Sequence, residues 1–182
     1  MNKHKTLFGT IAKLALITFT LLLVPLVAMQ FSDDVVWTAS DFIFAGTLIF
    51  ATGLTYVIIT RRSTSTIYRI AIGFALFSGL FLIWSNLAVG IIGSENNEFN
   101  LLYFLVIAVG IIGAFIARFK PTGLMYTMFG MAVAQTMITI AALKAGMSNL
   151  PDSSVYEILA VNGFFFTLFV IAGILFQYSV RD

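Results

Sequence analysis

The chain has 182 residues, of which 60% are hydrophobic and 10% are charged, and its formal net charge is +2. A soluble domain of this length could not bury so much apolar surface, so the composition predicts an integral membrane protein. The ten Lys and Arg residues are scattered along the chain, which argues against a nucleic-acid partner. The absence of Cys excludes disulfides and thiolate ligands.

Six apolar runs divide the sequence, and they predict one all-α polytopic bundle of six helices that forms a single transmembrane domain over residues 1–182. Most are close to the roughly 20 residues that cross the hydrocarbon core of a bilayer. The first run has a basic head, as a signal peptide does, but no small-residue cleavage pattern follows it, so we expect a retained helix. The predicted helices span about residues 7–30, 42–60, 67–92, 101–117, 124–145 and 158–178.

Short polar motifs predict where several helices begin. Thr38 and Asp41 have capping-box spacing before the second helix, and Ser154 and Glu157 have it before the sixth. Asn97 or Asn100 is expected to cap the fourth helix.

The basic residues predict the topology. Six spans place both termini on the same side of the membrane. All the basic residues except Lys144 fall on that side. Because Lys and Arg are enriched on the cytoplasmic side, we expect both termini to be cytoplasmic and the protein to lie in a plasma (inner) membrane. The basic residues assigned to the inside are Lys3, Lys5, Lys13, Arg61, Arg62, Arg69, Arg118, Lys120 and Arg181.

Glycines suggest how two helices pack. Gly79, Gly90 and Gly93 share one face of the predicted third helix, and Gly110 and Gly113 share one face of the fourth. Small residues let membrane helices approach closely, so we expect these two helices to form a tight antiparallel hairpin.

Three amide side chains fall inside predicted spans: Asn86, Gln135 and Asn162. An amide in hydrocarbon needs hydrogen-bond partners. Two interpretations stay open. The amides bond neighbouring helices and fix their packing, or they line a polar site open to the outside, with Glu95 and Asn100 at its mouth.

The sequence carries no catalytic motif. It lacks paired intramembrane aspartates, H-E-x-x-H, G-x-S-x-G and a P-loop, so we expect no enzymatic activity and no cofactor. The acidic link before the fourth helix lacks the spacing of an EF-hand loop, and we predict no metal site there. Trp37 and Trp84 are expected to be interfacial anchors.

Three stretches resemble a family of small, uncharacterised bacterial polytopic membrane proteins: PLVAMQFSDDVVWTASDF, WSNLAVGIIGSENNEFN and IARFKP. Together they cover much of residues 24–121. The resemblance implies a bacterial membrane location, and it lends no activity, ligand or mechanism.

Two functional hypotheses follow. The first is an accessory or assembly partner in the membrane, surrounded by lipid and bound to another membrane protein or to a second copy of the chain. The alternative is a channel or carrier for a small neutral or cationic solute, with the three amides as its lining.

Overall fold

The computed structural model is all-helical in the residues that it describes, which are 3–32, 35–61, 63–150 and 153–181, with side chains described from residue 9 onward. Two short 3-10 helices, Glu98–Leu102 and Met147–Asn149, accompany the long helices. The long helices are α1 (Lys3–Ala28), α2 (Ala39–Thr60), α3 (Thr66–Ala88), α4 (Tyr103–Ile116), α5 (Pro121–Lys144) and α6 (Val155–Ser179).

Six candidate membrane spans in the described part of the chain confirm the predicted fold class. The fourth span combines the Glu98–Leu102 3-10 helix with α4. The protein is therefore a multi-pass membrane protein. The side on which the termini lie stays a prediction, and the side chains of Lys3, Lys5 and Arg62, which contribute to it, lie outside those described.

The chain divides into two compact units, residues 1–58 and 59–182, and the single six-helix bundle stays a prediction. In the first unit, α1 and α2 run antiparallel. A Cβ placed on Gly46 would lie 3.1 Å from Leu22 Cδ1, and one on Gly53 would lie 2.8 Å from Leu14 Cδ2. These glycines let the two helices approach closely.

In the second unit, α6 packs against α5 and α3, and α4 packs mainly against α5. Aromatic contacts show that α3 and α6 run antiparallel. The rings of Tyr68 and Phe176 lie 6.1 Å apart, and those of Phe81 and Phe165 lie 5.7 Å apart. The face of α6 that is turned to its neighbours carries Ile158, Asn162, Phe165, Phe169, Ala172, Phe176 and Ser179.

The predicted α3–α4 hairpin is wrong in its packing, because the glycines of α4 face α5. A Cβ on Gly110 would lie 2.8 Å from Met131 Sδ, and one on Gly113 would lie 2.6 Å from Thr127 Cγ2. A Cβ on Gly79 would meet α4 only at ordinary van der Waals distance. The close approach that the glycines permit is therefore between α4 and α5.

Both predicted capping boxes begin helices. Ser154 Oγ accepts a hydrogen bond from the Glu157 backbone N–H at 3.2 Å, and Thr38 and Asp41 bond reciprocally before α2. These bonds satisfy backbone N–H groups that have no partner inside the helix.

Candidate functional site

The link between α3 and α4 is a compact turn and not a continuation of α3. The helix ends at Ala88, four residues before the predicted end. Gly90 and Gly93 follow it with φ angles of 82° and 63°, which L side chains rarely adopt. The prediction that these two glycines lie on the packing face of α3 is therefore wrong, because they form the turn.

Asn100 holds this turn together. Its Oδ1 accepts hydrogen bonds from the backbone N–H groups of Ile91 and Ile92 at 3.1 and 3.0 Å. Its Nδ2 donates to the carbonyls of Ile92 and Ser94 at 3.2 and 2.9 Å. The buried side chain thus uses both acceptor positions and both N–H groups on the backbone of the link, which leaves none for a ligand.

Two further asparagines complete the link. Asn97 caps the following 3-10 helix, since its Oδ1 accepts from the Phe99 N–H at 3.0 Å. Asn86, near the end of α3, donates from Nδ2 to the Asn100 carbonyl at 3.1 Å. Its Oδ1 is buried and has no hydrogen-bond partner in the described chain.

Glu95 lies on the exposed side of the link, where it accepts a hydrogen bond from Asn96 Nδ2 at 3.1 Å. No group of three His, Cys, Asp or Glu side chains that could hold a metal ion occurs among the described residues. Glu95 and Asn100 therefore differ in environment, the first exposed and the second buried.

A second polar cluster joins α4, α5 and α6 in the interior of the second unit. Asn162 Oδ1 accepts hydrogen bonds from Tyr103 Oη at 2.8 Å and from Gln135 Nε2 at 2.9 Å. Asn162 Nδ2 donates to the Ile158 carbonyl at 2.8 Å. The three side chains are 0–2% exposed, so this cluster, called here the Gln135–Asn162 cluster, is desolvated.

The cluster leaves one acceptor unpaired. Gln135 Oε1 is buried and has no hydrogen-bond partner among the described residues. A buried acceptor without a partner typically costs about 1–3 kcal/mol. By a rise of 1.5 Å per residue, Gln135 lies roughly 14 Å from the end of α5 at Lys144, well inside the hydrocarbon core.

The structure brings together two of the three predicted amides. Gln135 and Asn162 share a hydrogen bond, whereas Asn86 bonds the link. Tyr103, the third member of the cluster, was not among the residues predicted for the polar site. The sequence did carry a signal for this residue, namely a tyrosine within an apolar run. A buried phenol hydroxyl usually forms a hydrogen bond, so such a tyrosine indicates a polar partner nearby.

The remaining singled-out residues lie near helix ends. Trp37 precedes α2, and its ring lies 5.1 Å from that of Phe42. Trp84 is half-buried in the last turns of α3, and Lys144 is exposed at the end of α5. The anchor role of the two tryptophans stays a prediction.

The outward side of α6 carries three small exposed residues that were not among the predicted site residues. Ala160, Gly163 and Thr167 are exposed and follow one another at steps of three and four, so they lie on one face of the helix, called here the small-residue face. Within the second unit, no described atom other than those of the α6 backbone and of the two residues next to Gly163 comes within 4 Å of a Cβ placed there. The sequence shows the spacing of these small residues, but only the structure shows that they are exposed.

Comparison of the chain with protein-family models, curated proteins and solved structures found no match.

Proposed function

We propose that this protein is a non-enzymatic accessory or assembly partner that binds another membrane protein through the small-residue face of α6. The observation that carries the proposal is the environment of Gly163. Glycine in a helix costs about 1 kcal/mol relative to alanine, and no described neighbour in the second unit uses the space that the missing Cβ leaves. Small residues at helical spacing are the usual means by which membrane helices pack closely.

Three other glycines of the second unit's helices support this interpretation by contrast, whereas a Cβ on Gly79 or Gly130 would meet a neighbour at ordinary van der Waals distance. Gly110, Gly113 and Gly173 each lie where a Cβ would come within 3 Å of a side chain on a neighbouring helix. Those glycines are explained by contacts within the chain. Gly163 has no such contact within the second unit. A helix of another protein that packs closely against this face would explain the missing side chain in the same way.

Thr167 fits an apolar contact of this kind. Its hydroxyl donates to the Gly163 carbonyl at 2.8 Å, one turn back along α6. The hydroxyl proton is therefore satisfied within the helix, and the face can be covered by an apolar helix surface without losing that hydrogen bond.

The proposed location is a bacterial inner membrane with both termini cytoplasmic. Nine of the ten basic residues, all but Lys144, fall on the terminal side when the six spans are threaded through a bilayer. The same location is implied by the resemblance expected from three short stretches of the sequence within residues 24–121.

We place this function ahead of a channel or carrier. The carrier hypothesis requires Asn86, Gln135 and Asn162 to line one solute pathway. Their hydrogen bonds lie in two separate places, since Asn86 bonds the link and the other two form the Gln135–Asn162 cluster.

The chain contains no Cys, so a single introduced thiol can report on the small-residue face. Gly163→Cys, labelled in native membranes with a photoreactive maleimide, is expected to cross-link to another membrane protein or to a second copy. The matched control is Ala141→Cys, which replaces another small, exposed helical residue, on α5. We expect a discrete adduct from position 163 and none from position 141.

Three results would contradict the proposal: no adduct at position 163, equal adducts at both positions, or an intrachain cross-link from position 163 to residues 1–58. The second variant Ala160→Cys tests the same face if Gly163→Cys is poorly inserted.

A further inference from the structure

The orientation of the Asn162 amide is fixed by its neighbours. The Ile158 carbonyl can only accept, so the group 2.8 Å from it must be Asn162 Nδ2. Oδ1 then faces Tyr103 and Gln135 and accepts from both, which fills its two acceptor positions.

This arrangement determines how Gln135 is oriented. Because Asn162 Oδ1 accepts, Gln135 must direct Nε2 toward it, and Oε1 is left facing elsewhere in the interior. Reversing the Gln135 amide would set two carbonyl oxygens against each other. The hydrogen bonds of the cluster therefore require the unpaired oxygen to be Gln135 Oε1.

We infer that Gln135 Oε1 is the acceptor of a binding site for a small neutral solute that donates a hydrogen bond from an amide N–H or a hydroxyl. The inference goes beyond the docking function proposed above and does not depend on it.

The chemistry favours a neutral donor over a cation. Sites for hard cations combine several oxygens, whereas this cluster has a single carbonyl oxygen that is free of hydrogen bonds. The nearest charged side chains along α5 and α6 are Lys144 and Glu157, at the helix ends. The cluster thus offers no charge of either sign, and a neutral group that brings its own proton is the fitting partner.

A flexible side chain lies close to Gln135 along α5. Met131 lies one turn before Gln135 on the same face of α5, and its thioether packs over Gly110 of α4. The thioether fills the space that Gly110 leaves, and an unbranched Met side chain changes rotamer readily.

The test uses the full-length protein in nanodiscs, with glutamine labelled by 13C at the side-chain carbonyl. The chain has three glutamines, Gln30, Gln135 and Gln177, so NMR gives three carbonyl signals. Gln135→Leu assigns the signal of interest. If that variant does not fold, Gln30→Leu and Gln177→Leu assign it by elimination.

Acetamide is the donor probe, and N,N-dimethylacetamide, which has no N–H, is the matched control. We expect acetamide to shift the Gln135 signal saturably and to leave the signals of Gln30 and Gln177 unchanged. N,N-dimethylacetamide is expected to have no effect. Ethanol tests a hydroxyl donor, and we expect it to shift the Gln135 signal saturably as acetamide does.

The inference is overturned if neither acetamide nor ethanol shifts the Gln135 signal saturably, which would leave water as its only partner. It is also overturned if sodium or potassium chloride shifts that signal, or if the two acetamides act equally. None of these outcomes bears on cross-linking at Gly163, so the two proposals fail separately.

Discussion

The side-chain amide of Asn86 donates a hydrogen bond to the backbone carbonyl of Asn100, so the end of α3 is bonded to the start of the next span. The side chain of Asn100 in turn bonds four backbone groups of the intervening link. These two asparagines define the geometry of residues 86–100.

Replacing Asn100 is expected to destabilise the protein strongly. Asn100→Ala removes four hydrogen bonds and leaves the buried Ile91 and Ile92 N–H groups without their acceptor. We expect a loss of about 2–4 kcal/mol in the free energy of unfolding in mixed micelles. Asn96→Ala, on the exposed side of the same link, is the control and should change it by less than about 0.5 kcal/mol. Equal effects would show that the Asn100 side chain does not hold the link.

Gly90 is expected to tolerate no side chain. Its φ is 82°, and a Cβ there would lie 2.6 Å from the carbonyl carbon and oxygen of Ser94. Gly90→Ala therefore combines backbone strain with a clash against backbone, and we expect a loss of at least about 2 kcal/mol. Thermal unfolding in detergent measures it. A variant as stable as the parent would mean that the link adopts another conformation.

Two glycines of α6 are expected to respond oppositely to alanine. Gly163→Ala gains helix propensity with no neighbour to meet, so the isolated chain should be stabilised by about 0.5–1 kcal/mol. Gly173→Ala would place its Cβ 2.9 Å from the Phe129 ring, and overpacking typically costs about 1–3 kcal/mol. Unfolding of the two purified variants in the same micelle compares them directly. A stabilised Gly173→Ala would indicate that Phe129 moves aside freely.

The Gln135–Asn162 cluster is expected to be asymmetric in its energetics. Tyr103→Phe removes one donor while Asn162 Oδ1 keeps its bond from Gln135, so the cost should be about 1 kcal/mol. Asn162→Leu leaves both the Tyr103 hydroxyl and the Gln135 amide without an acceptor and should cost about 1–3 kcal/mol more. A double-mutant cycle in mixed micelles isolates the coupling between Tyr103 and Asn162. A coupling near zero would show that the bond contributes nothing to stability.

The sequence predicted the spans well because apolar runs of bilayer length are a strong local signal. Predicted and observed starts and ends of α2, α5 and α6 agree within about three residues, and the polar motifs at Thr38 and Ser154 cap helices as expected. The end of α3 was missed because AVGIIG is equally apolar in a helix and in a turn. The turn at Gly90 is followed by the Ile91 and Ile92 N–H groups, which donate to the side chain of Asn100 further along the chain.

The partners of the interior residues were less predictable. The spacing of Gly110 and Gly113 indicates a packing face, but any neighbouring helix can occupy such a face, and here it is α5. Likewise, the inner location of Gln135 and Asn162 followed from their positions in apolar runs. Their shared hydrogen bond, and the exclusion of Asn86 from it, depend on how α3 to α6 are rotated.

The position of α5 has a consequence for biogenesis. It is the least apolar of the six candidate spans and the one most buried by its neighbours. During synthesis α5 leaves the ribosome before α6 does, so Gln135 can meet lipid before Asn162 can bond it. We therefore expect α5 to integrate efficiently only when α6 follows it. Chains truncated in the link after Lys144 should show less integration of α5 into microsomes than the full-length chain.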